Sequence, residues 1–320
     1  MGDKTAIEWT DATWNPIGGC SIKSPGCKHC YAQKLAGTRL KNHPLYAGTT
    51  TPAKDGKPVF NGTMTVLPFD HPTWSWPLNW HGPKAPVRGA GARPLCFPFD
   101  MSDLFHGSRP LDVIRRAVGT MALAKQVDWQ ILTKRPDVMA GFFGRALAQD
   151  EIDAAMDRIA PAHWHDRESD DWPLPNFWLG TSAERQEEFD ARWPYMRALA
   201  AAGWIIFLSL EPLLERIVLP ADLLALGRRV QIITGGLSGS DEAPVHPDSF
   251  RSLRDQCRAA GVPFFFKQWG EWGFDPRTIS AKGSSFHHFD DGTIVQRYGK
   301  KAAGRLLDGR EWNEFPGASA

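Results

Sequence analysis

Residues 5–31 read T-A-I-E-W-T-D-A-T-W-N-P-I-G-G-C-S-I-K-S-P-G-C-K-H-C-Y, and this stretch organises the rest of the chain. A strand-like run over 6–9 leads into a short loop, and a helix-like run begins near Lys28. The loop holds three cysteines: Cys20, Cys27 and Cys30. Three sulfurs are one fewer than the four ligands that close most structural metal sites. Either a fourth ligand comes from elsewhere, or one coordination position stays open for chemistry.

The composition is that of a globular α/β protein. The chain has 320 residues, 42% of them apolar, which is long enough for one large domain or two small ones, and we favour one. Lys and Arg number 37 against 36 Asp and Glu, a net charge of +1, so any nucleic-acid site would have to be local. No apolar run approaches the roughly 20 residues that span a bilayer, and the first residues lack a signal-peptide core. We therefore expect a cytoplasmic protein without a membrane partner.

The five cysteines do not fit a secreted disulfide framework, because three of them crowd into one loop. That spacing is typical of metal ligation in a reducing compartment. Cys96 and Cys257 lie in apolar or helical surroundings, and we interpret both as small buried hydrophobic residues.

From residue 93 onward, short apolar strands alternate with polar loops and amphipathic helices, the βαβ pattern of a parallel sheet. We count five such units after the first, and one last strand follows them. The predicted strands are P-L-C-F-P-F-D-M-S-D, W-Q-I-L-T-K-R-P, N-F-W-L-G-T-S-A-E, W-I-I-F-L-S-L-E-P-L-L, V-Q-I-I-T-G-G-L-S-G and V-P-F-F-F-K-Q-W-G. The predicted helices cover 31–40, 111–124, 137–147, 187–202 and 247–260.

Two stretches lack this rhythm: 43–92 is predicted to be an elaborated connection, and 148–175 a polar insertion. We expect 1–272 to form the β/α domain and 273–320 a small C-terminal extension, hairpin-like, packed against it.

Polar residues and glycines stand where each predicted strand ends. In parallel α/β folds the site lies at the carboxyl ends of the strands, so we expect these residues to converge there. They are Ser102, Asp103, Thr133, Lys134, Ser182, Glu184, Ser209, Glu211, Gly235, Gly236, Lys267 and Gln268. The G-G-L-S-G string lacks the spacing of a dinucleotide-binding fingerprint, which argues against a nicotinamide dehydrogenase.

A three-cysteine loop after the first strand of six β/α units resembles the radical S-adenosylmethionine (SAM) superfamily. The resemblance implies a partial (β/α)6 TIM-like barrel, a [4Fe–4S] cluster on the three cysteines, and SAM on the open fourth iron. An electron from a donor would then cleave SAM to a 5′-deoxyadenosyl radical. The superfamily usually separates its cysteines by three residues and then two. Here six and two separate them, and the loop is longer.

The blocks I-E-W-T-D-A-T-W-N-P, S-P-G-C-K-H-C-Y, F-K-Q-W-G-E-W and G-K-K-A-A-G-R-L-L-D-G resemble a phage-associated family of unknown function. The string S-L-E-P at 209–212 is similar to spore photoproduct lyase, a radical SAM enzyme acting on DNA. These resemblances make nucleic acid or a nucleotide the leading substrate class, with DNA modification or repair as the activity. A separately encoded partner protein is a further possibility.

The superfamily resemblance also assigns SAM contacts. It places amino-group contacts at 100–103, which contain Asp100, Ser102 and Asp103, and ribose contacts at Ser182 and Glu184. Lys134 or Arg185 would hold the carboxylate, the Gly235–Gly236 turn would face adenine, and Ser209 lies at the same edge. The alternatives are helix capping for Ser102, Asp103 and Ser182, and a surface cation for Arg185.

Glu211 lies within the apolar run F-L-S-L-E-P-L-L, where an acid is costly unless it has a partner. We predict a catalytic role for Glu211 with Lys267 as its counter-charge. A buried structural ion pair is the alternative.

Two other interpretations of the cysteines stay open: a structural zinc completed by His29 or His43, and unliganded thiols. Gly18, Gly19 and Gly26 favour a loop that wraps closely around an inorganic group, though zinc would tolerate the same loop. The rival function is a zinc-stabilised module that binds nucleic acid or a partner without catalysis. The isolated histidines His106, His163, His165 and His246 are assigned no role.

Overall fold

The computed structural model describes residues 5–160, 172–237, 244–274 and 285–317. The fold is mixed α/β, with a seven-stranded parallel sheet in the order β1-β6-β7-β8-β9-β10-β11. These strands are β1 (Ala12–Trp14), β6 (Leu95–Pro98), β7 (Asp128–Thr133), β8 (Phe177–Ser182), β9 (Ile205–Leu210), β10 (Val230–Gly235) and β11 (Phe264–Gln268). The sequential strand order agrees with the predicted βαβ rhythm. The partial (β/α)6 barrel stays a prediction.

The other elements are shorter strands and the helices. The strands are β2 (Ile17–Gly18), β3 (Thr50–Pro52), β4 (Pro58–Phe60), β5 (Thr65–Val66), β12 (Trp272–Gly273), β13 (Phe286–His288) and β14 (Ile294–Arg297). The helices are α1 (Tyr31–Gly37), α2 (Pro72–Asn79), α3 (Leu111–Leu123), α4 (Pro136–Phe143), α5 (Ala148–Ile159), α6 (Gln186–Ala201), α7 (Ala221–Leu224), α8 (Pro247–Ala260) and α9 (Lys300–Ala303).

The chain divides into two compact units, each described by itself. Unit 1 comprises 1–181 and 195–205, and unit 2 comprises 182–194 and 206–320. The predicted domain boundary at residue 272 stays a prediction.

The first strand of unit 1 lies later than predicted. Residues 6–9 form a turn, in which Thr10 N donates to Ile7 O at 3.4 Å, and β1 begins at Ala12. The hydrogen-bonding edge of β6 decides the position, because Ala12 pairs with Cys96 and Trp14 with Pro98. Trp14 is fully buried there.

The predicted elaborated connection over 43–92 contains β3, β4, β5 and α2. β3 and β4 form a hairpin that packs on α1. Phe60 of the hairpin shares a core with side chains of α1, of the chain before β3 and of the segment after β6. These side chains are Ala32, Ala36, Leu45, Tyr46 and Met101. α1 ends at Gly37 instead of the predicted residue 40. An added Cβ on Gly37 would lie 2.1 Å from Pro58 Cβ.

The first part of the predicted polar insertion over 148–175 forms α5. Ala148, Ile152, Ala155 and Met156 are its buried side chains, a helical spacing hidden within a polar sequence. α5 packs on α3, where Gly119 leaves room for Ala155. Residues 161–171 of the predicted insertion, with His163 and His165, lie outside the described residues.

The long amphipathic helices match their predictions to within a residue at each end: α3, α6 and α8. α4 was predicted over 137–147 and ends earlier, at Phe143.

Unit 2 contains β9, β10 and β11 and a second, antiparallel sheet in the order β12-β14-β13. Within the C-terminal extension, residues 297–312 contain α9 and an antiparallel bridge between Leu307 and Arg310. Residues 304–316 then run against β11.

In the described parts of both units, no helix combines the length and apolarity that crossing a bilayer requires.

Candidate functional site

The cysteine loop begins at the end of β2, which pairs with β5 in a separate two-stranded sheet. An added Cβ on Gly18 would lie 2.2 Å from Leu45 O, and one on Gly19 would lie 1.9 Å from Thr63 O. Gly19 also has a φ of +83°, which glycine adopts without strain. These glycines therefore let the connection pack against the loop, which differs from the predicted wrapping around an inorganic group.

The three thiols are free cysteines on one short segment. A 3₁₀ helix over Pro25–His29 carries Cys27, and Cys30 precedes the first residue of α1. Lys23 N lies 3.5 Å from Cys27 Sγ and donates to it, and Gln33 Nε2 donates to Cys27 O at 2.8 Å. The loop is thus fixed by its own backbone on one side and by α1 on the other.

The pKa of the Cys20 thiol is raised to about 12, chiefly by burial; the charges of Asp103 and Cys30 act in the same direction, and Arg135 acts against them. Burial also raises the pKa of Cys30, on which Cys27 acts in the same direction and Lys134 against it. Cations near Cys20 and Cys30 would stabilise thiolates there.

Within the described residues, no group of three or more His, Cys, Asp and Glu side chains converges on one metal-ion position. His43, a predicted zinc ligand, accepts a hydrogen bond on Nδ1 from Leu45 N at 3.2 Å. The metal roles of Cys20, Cys27 and Cys30 stay predictions. The donor set is nevertheless suited to iron or another soft metal, because three thiols lie in one loop beside buried cations.

The segment after β6 makes a tight turn beside this loop. Phe99 has a φ of +64°, an uncommon conformation for a non-glycine residue, and its N–H donates to Trp14 O at 2.8 Å. Asp100 accepts hydrogen bonds from Asn15 Nδ2 at 2.5 Å and from Tyr31 OH at 2.9 Å. Burial raises the pKa of Asp100, while these two hydrogen bonds lower it. Asp100 thereby joins the end of β6 to the start of α1, next to Cys30.

Ser102 and Asp103 do not cap a helix, because α3 begins at Leu111 with Pro110 as its N-cap residue. Ser102 forms a parallel bridge with Gly19, directly before Cys20. Its Oγ is buried and has no hydrogen-bond partner among the described residues. A buried hydroxyl without a partner costs free energy, so this atom fits a ligand that would supply one.

Asp103 is part of a buried polar network. It accepts from Thr133 Oγ1 at 2.8 Å and from Phe105 N at 3.0 Å, and it forms an ion pair with Arg135 at 2.7 Å. The guanidinium of Arg135 also donates to Ser21 Oγ at 2.8 Å and lies 4.0 Å from Cys20 Sγ.

Sequence reasoning missed Arg135, Ser21 and His106 as members of this network. Ser108 N donates to His106 Nδ1 at 3.2 Å, so in the neutral ring the proton is on Nε2, which lies 2.8 Å from Ser21 Oγ. The signal for Arg135 was the string T-K-R-P after β7, in which sequence reasoning selected Lys134.

In unit 2, Glu211 and Lys267 form an ion pair at 2.9 Å, as predicted for a counter-charge. Gln268 Nε2 donates to the same carboxylate oxygen at 3.2 Å. An added Cβ on Gly235 would lie 3.3 Å from this carboxylate, and one on Gly236 would lie 1.9 Å from Trp269 O. The two glycines thus allow the end of β10 to approach the end of β11. The catalytic role of the pair and the adenine contact stay predictions.

The remaining predicted contacts of unit 2 lie around the start of α6. Glu184 is fully buried and lies 3.8 Å from Arg192, which also donates to Ser182 O. Arg185 pairs with Glu188 at 2.5 Å on the surface, which agrees with the alternative interpretation of Arg185 as a surface cation. Ser182 lies four residues before α6 and so does not cap it, and Ser209 O accepts from Ala183 N at 3.1 Å. Their convergence with the residues of unit 1 stays a prediction.

Among solved structures, the chain is similar to spore photoproduct lyase. A mutant of that enzyme with bound AdoMet and dinucleoside spore photoproduct is 11% identical with a TM-score of 0.39, over 89% of this chain and 68% of that one. A complex with dinucleoside spore photoproduct is 10% identical with a TM-score of 0.39, over 90% and 68%. At this TM-score the similarity carries no argument about the site.

No curated protein matches the chain. A family model does match, over residues 4–316, which is nearly the whole sequence. The phage association of the resemblance stays a prediction. By this match the chain belongs to the family described as "Protein of unknown function (DUF5131)".

Proposed function

We propose that this protein is a radical SAM enzyme whose [4Fe–4S] cluster is held by Cys20, Cys27 and Cys30. The observation that carries the proposal is the placement of three free thiols on one loop beside the segment that follows β6, to which Gly19 is bridged through Ser102. Three ligands would leave one iron of a cluster open, which is the position that SAM needs. Cluster and SAM together would supply the 5′-deoxyadenosyl radical that abstracts a hydrogen atom.

The residues of the chain would provide charge compensation for the thiolates. Arg135 lies 4.0 Å from Cys20 Sγ, and Lys134 lowers the pKa of Cys30. Cations beside ligand sulfurs stabilise the deprotonated form that binds metal and raise the reduction potential of a cluster.

The segment 100–103 would bind the polar end of SAM. Ser102 Oγ is buried without a described partner, and Asp100 presents a carboxylate that is fixed by Asn15 and Tyr31. A hydroxyl and a carboxylate are suitable acceptors for the SAM ammonium group. We assign ribose, carboxylate and adenine contacts to Ser182, Glu184, Arg185, Ser209, Gly235 and Gly236, and proton transfer to Glu211 with Lys267.

Anaerobic reconstitution tests this proposal directly. We expect about four irons and four sulfides per chain, and release of 5′-deoxyadenosine and methionine from SAM after reduction. Cys27→Ala should abolish both iron retention and SAM cleavage. Cys257→Ala is the matched control, because Cys257 is a buried thiol on α8, and this variant should retain both.

Stoichiometric zinc in place of iron would refute the cluster and support the zinc-stabilised binding module instead. SAM cleavage that persists in Cys27→Ala would show that these thiols are not its source.

A further inference from the structure

The near-neutral charge of the chain conceals a strongly basic region around the cysteine loop. Residues 20–57, here called the basic segment, contain seven Lys and Arg and one acidic residue, a net charge of +6. The rest of the chain holds thirty basic and thirty-five acidic residues, a net of −5. The total of +1 is therefore the sum of two parts of opposite sign, and a local field exists that the total does not reveal.

The structure directs these charges to solvent. All seven basic side chains of the segment are exposed: Lys23, Lys28, Lys34, Arg39, Lys41, Lys54 and Lys57. The acidic residue, Asp55, pairs with Lys57 at 3.3 Å. For the other six, no carboxylate partner lies within the part of the chain that the structure describes.

The basic segment is a packed substructure and not an extended tail. α1 packs on β3 and β4, and the turn that carries Lys54 and Lys57 joins these two strands. Lys34 lies on α1, with Arg39 and Lys41 in the turns that follow it. Lys54 and Lys57 lie at the hairpin tip, and Lys28 lies on the 3₁₀ helix between Cys27 and Cys30. A fixed array of cations is what a polyanion requires.

The remaining exposed side chains favour nucleic acid over an acidic protein. Protein–protein interfaces are built around an apolar core in which Lys is depleted. The large apolar side chains exposed in this segment are Ile22 and Tyr31, each 46% exposed. The segment also exposes a hydroxyl and an amide side chain that can donate to phosphate oxygens, those of Thr51 and Asn42. The ring of Tyr31 offers a surface on which a base can stack.

We propose that the basic segment is a nucleic-acid-binding surface that contacts the phosphate backbone beside the cysteine loop. This deepens the proposed function, because it names nucleic acid as the substrate class of that site. Binding itself requires neither metal nor SAM, so its test is independent of the cluster.

The experiment measures binding of a short labelled DNA duplex, and of its single strand, by fluorescence anisotropy over a series of salt concentrations. The test variant combines Lys34→Glu, Arg39→Glu and Lys41→Glu. The matched control combines Arg216→Glu, Arg228→Glu and Lys301→Glu, which are exposed in unit 2 and change the net charge by the same amount. If each reversed residue contacts one phosphate, the slope of log K against log salt should fall by about 3 for the duplex.

We expect the wild-type chain and the control to bind with equal slopes, and the test variant to lose at least about tenfold in affinity. A triple glutamine variant at the same three positions guards against misfolding caused by charge reversal, and it should weaken binding in the same direction. Wild-type protein left without added iron and sulfide should bind DNA like the reconstituted protein.

Equal losses in the test and control variants would overturn the proposal, because they would indicate a general charge effect. Absence of DNA binding at low salt would also overturn it. Binding of poly-L-glutamate in preference to DNA would assign the surface to an acidic protein partner instead. Each result is independent of whether SAM is cleaved.

Discussion

Asp103 and Arg135 show how one ion pair can serve both stability and the candidate site. The side chains of Asp103 and Arg135 are 6% and 9% exposed, and their 2.7 Å contact lies beside Cys20. A buried pair gains little net free energy over apolar residues, but removing one partner leaves the other charged, buried and unpaired. Neither residue can therefore be replaced alone without a large cost.

We predict that Arg135→Ala destabilises the protein by about 3 kcal/mol, near the lower end for a broken buried pair. The loss stays at that end because Asp103 keeps its hydrogen bonds from Thr133 and Phe105. Arg135→Lys should lose less, since it retains the charge but not the simultaneous contact with Ser21. Denaturant unfolding measures the free energy of unfolding of the wild type and of both variants.

Arg185→Ala is the control for this prediction, because it breaks an ion pair with Glu188 on the protein surface. It should change the unfolding free energy little, since exposed pairs are screened by water. Equal losses from Arg135→Ala and Arg185→Ala would mean that burial does not govern the strength of the Asp103 pair.

At the residue scale, sequence identified part of this site. The rule that sites lie at the carboxyl ends of strands selected Asp103, Thr133 and Lys134. It did not select Arg135, which pairs with Asp103 from 32 residues away. In the string T-K-R-P, the sequence alone does not show which of the two adjacent cations faces Asp103. The Glu211–Lys267 pair was predicted because an acid in an apolar run requires a counter-charge.

At the scale of elements, the cysteine loop depends on how closely β2 approaches the connection. Gly18 packs against Leu45 O and Gly19 against Thr63 O, and β2 pairs with β5 in this region. The position of the cysteine loop therefore depends on its contacts with residues 43–92, for which the sequence predicted an elaborated connection.

Gly19→Ala should destabilise the protein more than Gly48→Ala, as measured by unfolding free energy. Both glycines have positive φ, +83° and +75°, so both substitutions carry a conformational cost of about 1–2 kcal/mol. An added methyl group at residue 19 also meets Thr63 O at 1.9 Å, whereas at residue 48 nothing lies within 4 Å. Overpacking adds about 1–3 kcal/mol, which should appear as the difference between the variants.

Similar costs for the two variants would indicate that the connection moves away from residue 19 without penalty. In that case Cys20 would not be positioned by the contact between Gly19 and Thr63.

Elements were predictable where a period extends over many residues. α3, α6 and α8 each show three or more turns of apolar spacing, and their predicted ends lie within a residue of the observed ones. β2, β3, β4 and β5 have two or three residues each, too few for a period, and they depend on packing against α1 or on pairing with distant strands. β1 was misplaced because its position is set by pairing with β6, more than 80 residues later.

At the scale of the whole molecule, the sequence indicated the βαβ rhythm, and the strand order agrees with it. The net charge of +1 did not indicate the basic segment, since a sum over the chain cancels charges that the fold keeps apart. The sequence predicted an extension after residue 272, yet residues 304–316 of that extension pair with β11.

The contacts of this C-terminal segment are those of an integral part of unit 2. Phe266 N donates to Trp312 O at 3.0 Å, and Glu314 N donates to Phe264 O at 3.2 Å. Phe264 N in turn donates to the Glu314 carboxylate at 3.0 Å. Trp312 and Leu307 are nearly or fully buried. Without this segment, the side of β11 that these residues cover would become an unprotected sheet edge with apolar residues beside it.

We therefore predict that a chain ending at Trp272 does not fold unit 2 and aggregates. Burial of Trp312 and Leu307 contributes about 1.5–3 kcal/mol each, and the lost hydrogen bonds about 1 kcal/mol each. Their sum approaches the roughly 5–15 kcal/mol by which whole domains are stable. A chain ending at Gly317 is the control and should remain soluble, with the near-ultraviolet circular dichroism and cooperative unfolding of the full-length protein. If the chain ending at Trp272 retains both properties, residues 273–320 are a separable extension, as the sequence predicted.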